Sequence, residues 1–210
     1  MKKLFLLFLF FTGLNIPAQT AAAAKEVFEK IKKESKIDGT DKTIYNILDG
    51  FYIKTLQAEN DEMSPETIEK IQGLAANPET KNLHILMLFL MYQQHISQTE
   101  AAGKKPNPEF QMATLKLLED EVQSVYGKVP ALIYIYNYEA LESGNRKEEA
   151  KAIALQGLKE YPDSVPLKVY VYLNTHDETI KNDLLKNHAN HWMVKQFEIK
   201  EALTQNCIKK

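Results

Sequence analysis

Val129-Pro130-Ala131-Leu132-Ile133-Tyr134-Ile135-Tyr136 returns 36 residues later as Val165-Pro166-Leu167-Lys168-Val169-Tyr170-Val171-Tyr172. A more worn third copy, Pro78-Glu79-Thr80-Lys81-Asn82-Leu83-His84-Ile85, echoes Pro162 to Val169 in its proline, acid, hydroxyl and Leu-x-aliphatic spacing. A period in the thirties is that of stacked helical hairpins. The octets themselves pull the other way, because a succession of β-branched and aromatic residues reads locally as a buried strand. Strands here would make the fold α/β. Two features favour helix. The sister segment stays apolar from Leu83 to Ala102, about twice a normal strand, with Leu88, Met91, Tyr92 and His95 at helical spacing. Tyr134 to Ser143 also runs through Ala140-Leu141-Glu142 into Gly144-Asn145, a helix end with its glycine. The segments after the prolines are therefore expected to be helices buried all round, the inner members of the hairpins.

The segments before the prolines carry one-sided helical stripes. Ala150, Ile153, Ala154, Gly157, Leu158 and Tyr161 follow the i, i+3, i+4, i+7 pattern. Phe110, Ala113, Leu117, Leu118, Val122 and Val125 do the same behind Asn107-Pro108-Glu109, in which Asn caps, Pro takes the first helical position and Glu favours the positive end of the helix. Ser64-Pro65-Glu66 repeats that start signal ahead of Ile68, Ile71 and Leu74, and Ile44, Ile47, Leu48 and Phe51 follow Thr40-Asp41.

Within Ala131 to Asp163, Tyr134, Ala140, Leu141, Ala150, Gly157 and Pro162 fall at the signature positions of a tetratricopeptide repeat, which this unit resembles. It departs from the pattern at Asn137 and Tyr138, where a leucine and a small residue are usual, and at Ala154, where a large aromatic is usual. Neighbouring units match through length and prolines alone. The resemblance implies an all-α fold, a short tetratricopeptide-like α-solenoid of three to four degenerate antiparallel hairpins. In that scheme residues 19–39 form an N-terminal linker and short helix and residues 40–188 the repeats. Residues 189–210, with Trp192, Met193, Phe197 and Leu203, form a helix over about 190–205 that caps the stack.

Ahead of all this, Lys2 and Lys3, the apolar run Leu4 to Phe11 and Ile16-Pro17-Ala18 have the order of a secretory signal peptide over residues 1–18, cleaved before Gln19. The run is too short for a stable membrane anchor and no cysteine follows it for acylation. The expected address is periplasmic or secreted. Of 26 basic side chains, two precede the cleavage point, and 28 acidic ones oppose the rest. Arg146 is the only arginine, so no clustered basic face exists for nucleic acid. A single cysteine, Cys207, excludes an internal disulfide, and stability must come from a core that 44% apolar residues can supply.

His188 and His191, three apart, could place two imidazoles on one helical face as metal ligands, with Asp183 or Glu178 as a third. The alternative is a capping or surface role, because the segment reads as a break between helices. His84 and His95, in the most apolar helix, read as core histidines. The acid clusters Asp61-Glu62, Glu119-Asp120-Glu121 and Glu148-Glu149 read as solvated faces rather than paired catalytic carboxylates. No nucleophile elbow or phosphate loop is present, and no cofactor is implied. The strongest binding feature is aromatic: Tyr134, Tyr136, Tyr138, Tyr170 and Tyr172. One helix cannot point Tyr134, Tyr136 and Tyr138 the same way, so at least one is expected in an exposed groove. The expected function is a non-catalytic scaffold whose concave face holds a protein or peptide of the envelope, with self-association a further possibility. A small exported enzyme or metal-binding protein using His188 and His191 is the alternative.

Overall fold

The computed structural model describes residues 20–59 and 65–200; the signal segment, Asp61-Glu62, Leu203 and Cys207 lie outside them. The fold is all-α. The tyrosine-rich octets are helical, and among the described residues the only β pairing is a single bridge between Lys36 and Lys81. The octets continue into full helices, α6 (Ala131–Ser143), buried on most sides, and α8 (Val165–Thr175), which contrary to the expectation of all-round burial leaves Lys168, Tyr172, Leu173 and Asn174 half-buried. In α6 every residue from Ala131 to Tyr136 is buried.

The chain packs in sequence order over its C-terminal two thirds. α4 (Leu83–Ala101) lies against α5 (Pro108–Tyr126), α5 against α6, α6 against α7 (Lys147–Glu160), α7 against α8, and α8 against α9 (Glu178–Asn187). Caps set the boundaries. Asn107 Oδ1 accepts the backbone N–H of Glu109 and Phe110 with Pro108 at the first turn, and Asp177 Oδ1 accepts those of Thr179 and Ile180. At the end of α6 the left-handed residue is Asn145, one position past the glycine, and Arg146 N–H closes the turn onto Leu141 O at 2.8 Å.

The closest helix approach is that of α6 and α7. A Cβ on Gly157 would stand 2.8 Å from Tyr134 Cβ and 3.1 Å from Leu167 Cδ1, so only glycine fits. Ala150 and Ala154 extend the same flat, buried face. In α5 the buried face is turned from the apolar stripe: Gln111, Thr114, Leu115 and Glu121 are buried beside Phe110, Leu118 and Val122.

The N-terminal third departs from this succession. α1 (Ala21–Glu34) packs against α4 and α5, burying Ala24 and Phe28. The chain then makes an excursion. α2 (Thr43–Phe51) runs over α6 and α4, a π-helical turn (Tyr52–Gln57) reaches α8, and α3 (Pro65–Ala76) returns to α4. The two ends of this excursion meet. Asn82 N–H donates to Lys36 O at 2.7 Å, and its fully buried amide accepts Asp38 N–H and donates to Asp38 O and to the Tyr126 hydroxyl. Lys81–Asp38 and Lys36–Glu79 ion pairs flank it.

At the C-terminus α10 (Trp192–Gln196) is one turn and a half, shorter than the expected cap helix. It ends where Glu198 takes a left-handed conformation and Ile199 N–H closes onto Val194 O at 3.1 Å. Among the described residues no helix is long and apolar enough to cross a membrane.

Candidate functional site

The five tyrosines do not share a groove. Tyr134 is buried against Gly157 and the Tyr161 ring, on the α7 side of α6. Tyr136 stacks on Tyr92 of α4 with centroids 5.0 Å apart, and Tyr138 stacks on Tyr170 of α8 at 4.0 Å. Each side of α6 thus has its own neighbour. The expectation that one of Tyr134, Tyr136 and Tyr138 must be exposed is overturned, since three helices divide the three directions between them. Tyr172 alone is half-buried, edge-on to His176.

The two stacked pairs bring α4, α6 and α8 together around a residue that the sequence reading passed over, Glu139. It stands three positions after Tyr136, hence on the same face of α6. Tyr170 donates its hydroxyl hydrogen to Glu139 Oε1 at 2.5 Å. Gln93 donates to the Tyr136 hydroxyl at 2.7 Å, Gln111 to that of Tyr92 at 3.4 Å, and Asn174 to that of Tyr138 at 2.9 Å. Phe197 meets the Tyr170 ring edge-to-face at 6.2 Å and stays 38% exposed. Burial pushes the Glu139 carboxyl up to about 7; the Tyr170 hydrogen bond works against this and the charge of Glu100 adds to it. No cation acts on it among the described residues. Burial and the nearby Glu139 charge in turn raise the Tyr170 phenol well above its usual range. The signal in the sequence was slight: Glu139 is the one charged residue between Ala131 and Leu141.

The histidines resolve into structural roles. His191 is the N-cap of α10, with Nδ1 accepting Met193 N–H at 3.2 Å. Its Nε2 lies 2.9 Å from Leu56 O in the π-helical turn, and because a carbonyl only accepts, Nε2 carries the proton. Both nitrogens are engaged, and burial holds the imidazole below its ordinary pKa. His188, half-buried, sits 3.9 Å from Asp183, which pairs with Lys168 at 2.5 Å. His95 Nε2 accepts Asn107 N–H at 3.0 Å, with its ring against Phe110.

His84 is fully buried, and its Nε2 lies 3.3 Å from Glu121 Oε2 off the hydrogen-bonding direction, leaving both ring nitrogens without a directed partner. Glu121 departs from the solvated role expected of its cluster: it is buried under α1 and pairs with Lys32. Glu148 and Glu149 are exposed, and Glu149 pairs with Arg146. Among the described residues no three His, Cys, Asp or Glu side chains converge as a metal site. No known protein family, curated protein or solved structure matches the chain.

Proposed function

We propose that this protein is an exported, non-catalytic helical-repeat protein of tetratricopeptide-like type, and that it holds a protein or peptide partner of the cell envelope where α4, α6 and α8 meet. The observation that carries the reading is Glu139, a half-buried carboxylate set among Tyr92, Tyr136, Tyr138 and Tyr170 with the exposed Phe197 at its margin. Aromatic side chains with polar tips give large contact area at low entropic cost, and a desolvated carboxylate gives direction to the contact. The seam between Tyr170, Asn174 and Phe197 is the part of the tyrosine set a partner can reach there, while half-buried Tyr172, two positions from Tyr170, lies on the opposite side of α8 beside His176. Tyr134, Tyr136 and Tyr138 support it from beneath.

Export rests on the order of Lys2, Lys3, the Leu4–Phe11 run and Ala18. The alternative metal-binding reading is weakened by His191, whose two nitrogens are already spent on Leu56 and Met193. The test is a photo-crosslinking amino acid placed singly at Phe197, at Asn174 and, on the outer surface of α7, at the exposed Leu155, in protein expressed in its native envelope. Defined adducts from the first two sites and none from Leu155 support the reading. Equal labelling at all three, or none, overturns it. Intact mass of the exported protein should begin at Gln19.

A further inference from the structure

We infer that Glu139, half-buried on α6 beside Tyr170, receives one basic side chain, a lysine or arginine, of a partner polypeptide. This rests on the scaffold reading above and names the chemistry of its contact. One oxygen of the carboxylate, Oε1, is taken by the Tyr170 hydroxyl, whereas Oε2 accepts no hydrogen bond from any described group. The phenols of Tyr92, Tyr136 and Tyr138, each near enough to feel its charge, are neutral, as are the amides of Gln93, Gln111 and Asn174 that bond to them. The one further charge acting on it is the exposed Glu100 one helix away, and it has the same sign. When ionised, the carboxylate has no cation opposite it among the described residues and shares its charge only with the Tyr170 hydroxyl, in partly buried surroundings where an opposite charge interacts more strongly than in water.

The geometry selects the kind of cation. A metal ion needs several hard donors converging, and the described residues offer none beyond this carboxylate and its phenols. An organic cation needs one carboxylate and aromatic faces, and both are present. Tyr138 and Tyr170 are stacked at 4.0 Å, Phe197 meets the Tyr170 ring edge-on, and Tyr170 links this aromatic group to the carboxylate through its hydroxyl. The exposed part of Phe197 offers apolar cover for the methylene stem that an ammonium or guanidinium carries. A free small amine has no stem to use that surface, which favours a side chain on a polypeptide.

The test is titration of the mature protein with Nα-acetyl-lysine methylamide, its arginine and norleucine counterparts, and methylammonium, followed by NMR of ¹³C-labelled tyrosine rings at pH 8. The lysine and arginine probes should shift the Tyr138 and Tyr170 resonances saturably, at least tenfold more tightly than norleucine or methylammonium. Glu139→Gln should abolish the shift with its helical circular dichroism retained, and Glu100→Gln should weaken it about twofold. Equal response to norleucine, equal response in Glu139→Gln, or no response at millimolar probe overturns the inference, and methylammonium binding as tightly as lysine overturns the polypeptide assignment. Crosslinking from Phe197 that persists unchanged in Glu139→Gln would sink the basic-contact inference while leaving the scaffold reading standing; absence of crosslinks in the wild type would sink the scaffold.

Discussion

Gly157 and Glu139 are the two residues on which α6 depends most directly, one through space and the other through charge. A side chain at 157 must displace the Tyr134 ring or Leu167, both buried, and neither can yield without moving its own helix. Gly157→Leu should cost roughly 1 to 3 kcal/mol by overpacking, whereas Glu148→Leu on the exposed side should be near neutral; urea denaturation compares them. Glu139 acts through pH. Its carboxyl is raised to about 7 in the fold against an ordinary value near 4.3, so the native state holds the extra proton between these values. Its contribution is therefore fully present below the unfolded value and lost as pH rises through the folded one. His84, His95 and His191 are lowered by burial, so their contribution runs the other way, growing as pH rises toward about 6.5. Glu139→Gln removes only the falling slope. Relative to wild type it should gain about 3 kcal/mol between pH 4.5 and pH 8, read from denaturation midpoints across that range. A constant difference would show that the carboxyl titrates normally.

Among the elements, the excursion from Lys36 to Asn82 has the least regular neighbours and the most specific fastening. α2 and the π-helical turn carry an apolar face, Ile44, Ile47, Leu48, Phe51 and Leu56, down onto α4, α6 and α8, with Phe51 meeting Phe89 edge-on at 5.2 Å. The far end is held by polar contacts: Gln57 accepts Val165 N–H at 2.9 Å, and His191 holds Leu56 O. The near end is Asn82. Its amide satisfies buried backbone groups of the Asp38 segment, and its φ of 57° is one that asparagine tolerates better than most residues. Beside it, Gly39 lets the chain pass where a Cβ would stand 2.6 Å from Val125 O. Asn82→Ala should cost roughly 2 to 3 kcal/mol, because donors and acceptors at the base of the excursion are left buried and unpaired. In hydrogen exchange, amides of Thr43–Gln57 should lose protection more than those of α6. Uniform loss over both would mean that the excursion and the helices it crosses open as one unit.

For the whole molecule, α1 closes the end of the helix succession. It covers α4 and α5 with Phe28 and shields the His84–Glu121 contact, to which Lys32 adds its charge. Removing residues 20–34 would uncover Phe28's pocket and leave Glu121 and His84 beside water on a formerly dry face. Burial of a phenylalanine is worth about 3 to 5 kcal/mol. In a domain of this size that amounts to a melting temperature lower by roughly 10 °C, measurable by circular dichroism at 222 nm. An unchanged melting temperature would mean that α1 is an accessory rather than part of the core.

The sequence by itself determined the helices and much of their register. The 36-residue return of the octets, the Asn107 cap and the Ala150–Gly157 stripe are local or periodic signals, legible because helix geometry converts spacing directly into a face. The burial of α6 on most sides was legible too, from its near lack of polar residues, whereas α8, expected to be buried all round, leaves Lys168, Tyr172, Leu173 and Asn174 half-buried. Which neighbour each side of α6 meets was not, since a sequence cannot say that Tyr134, Tyr136 and Tyr138 are received by α7, α4 and α8. Glu139 escaped notice, and Glu121 was read as solvated, for the same reason. A lone acid in an apolar helix, or one acid in a run of three, has the same spelling whether water or a buried tyrosine, lysine or histidine faces it. Their desolvation depends on chain segments 31 and 89 residues away, brought there only by the packing of the folded chain.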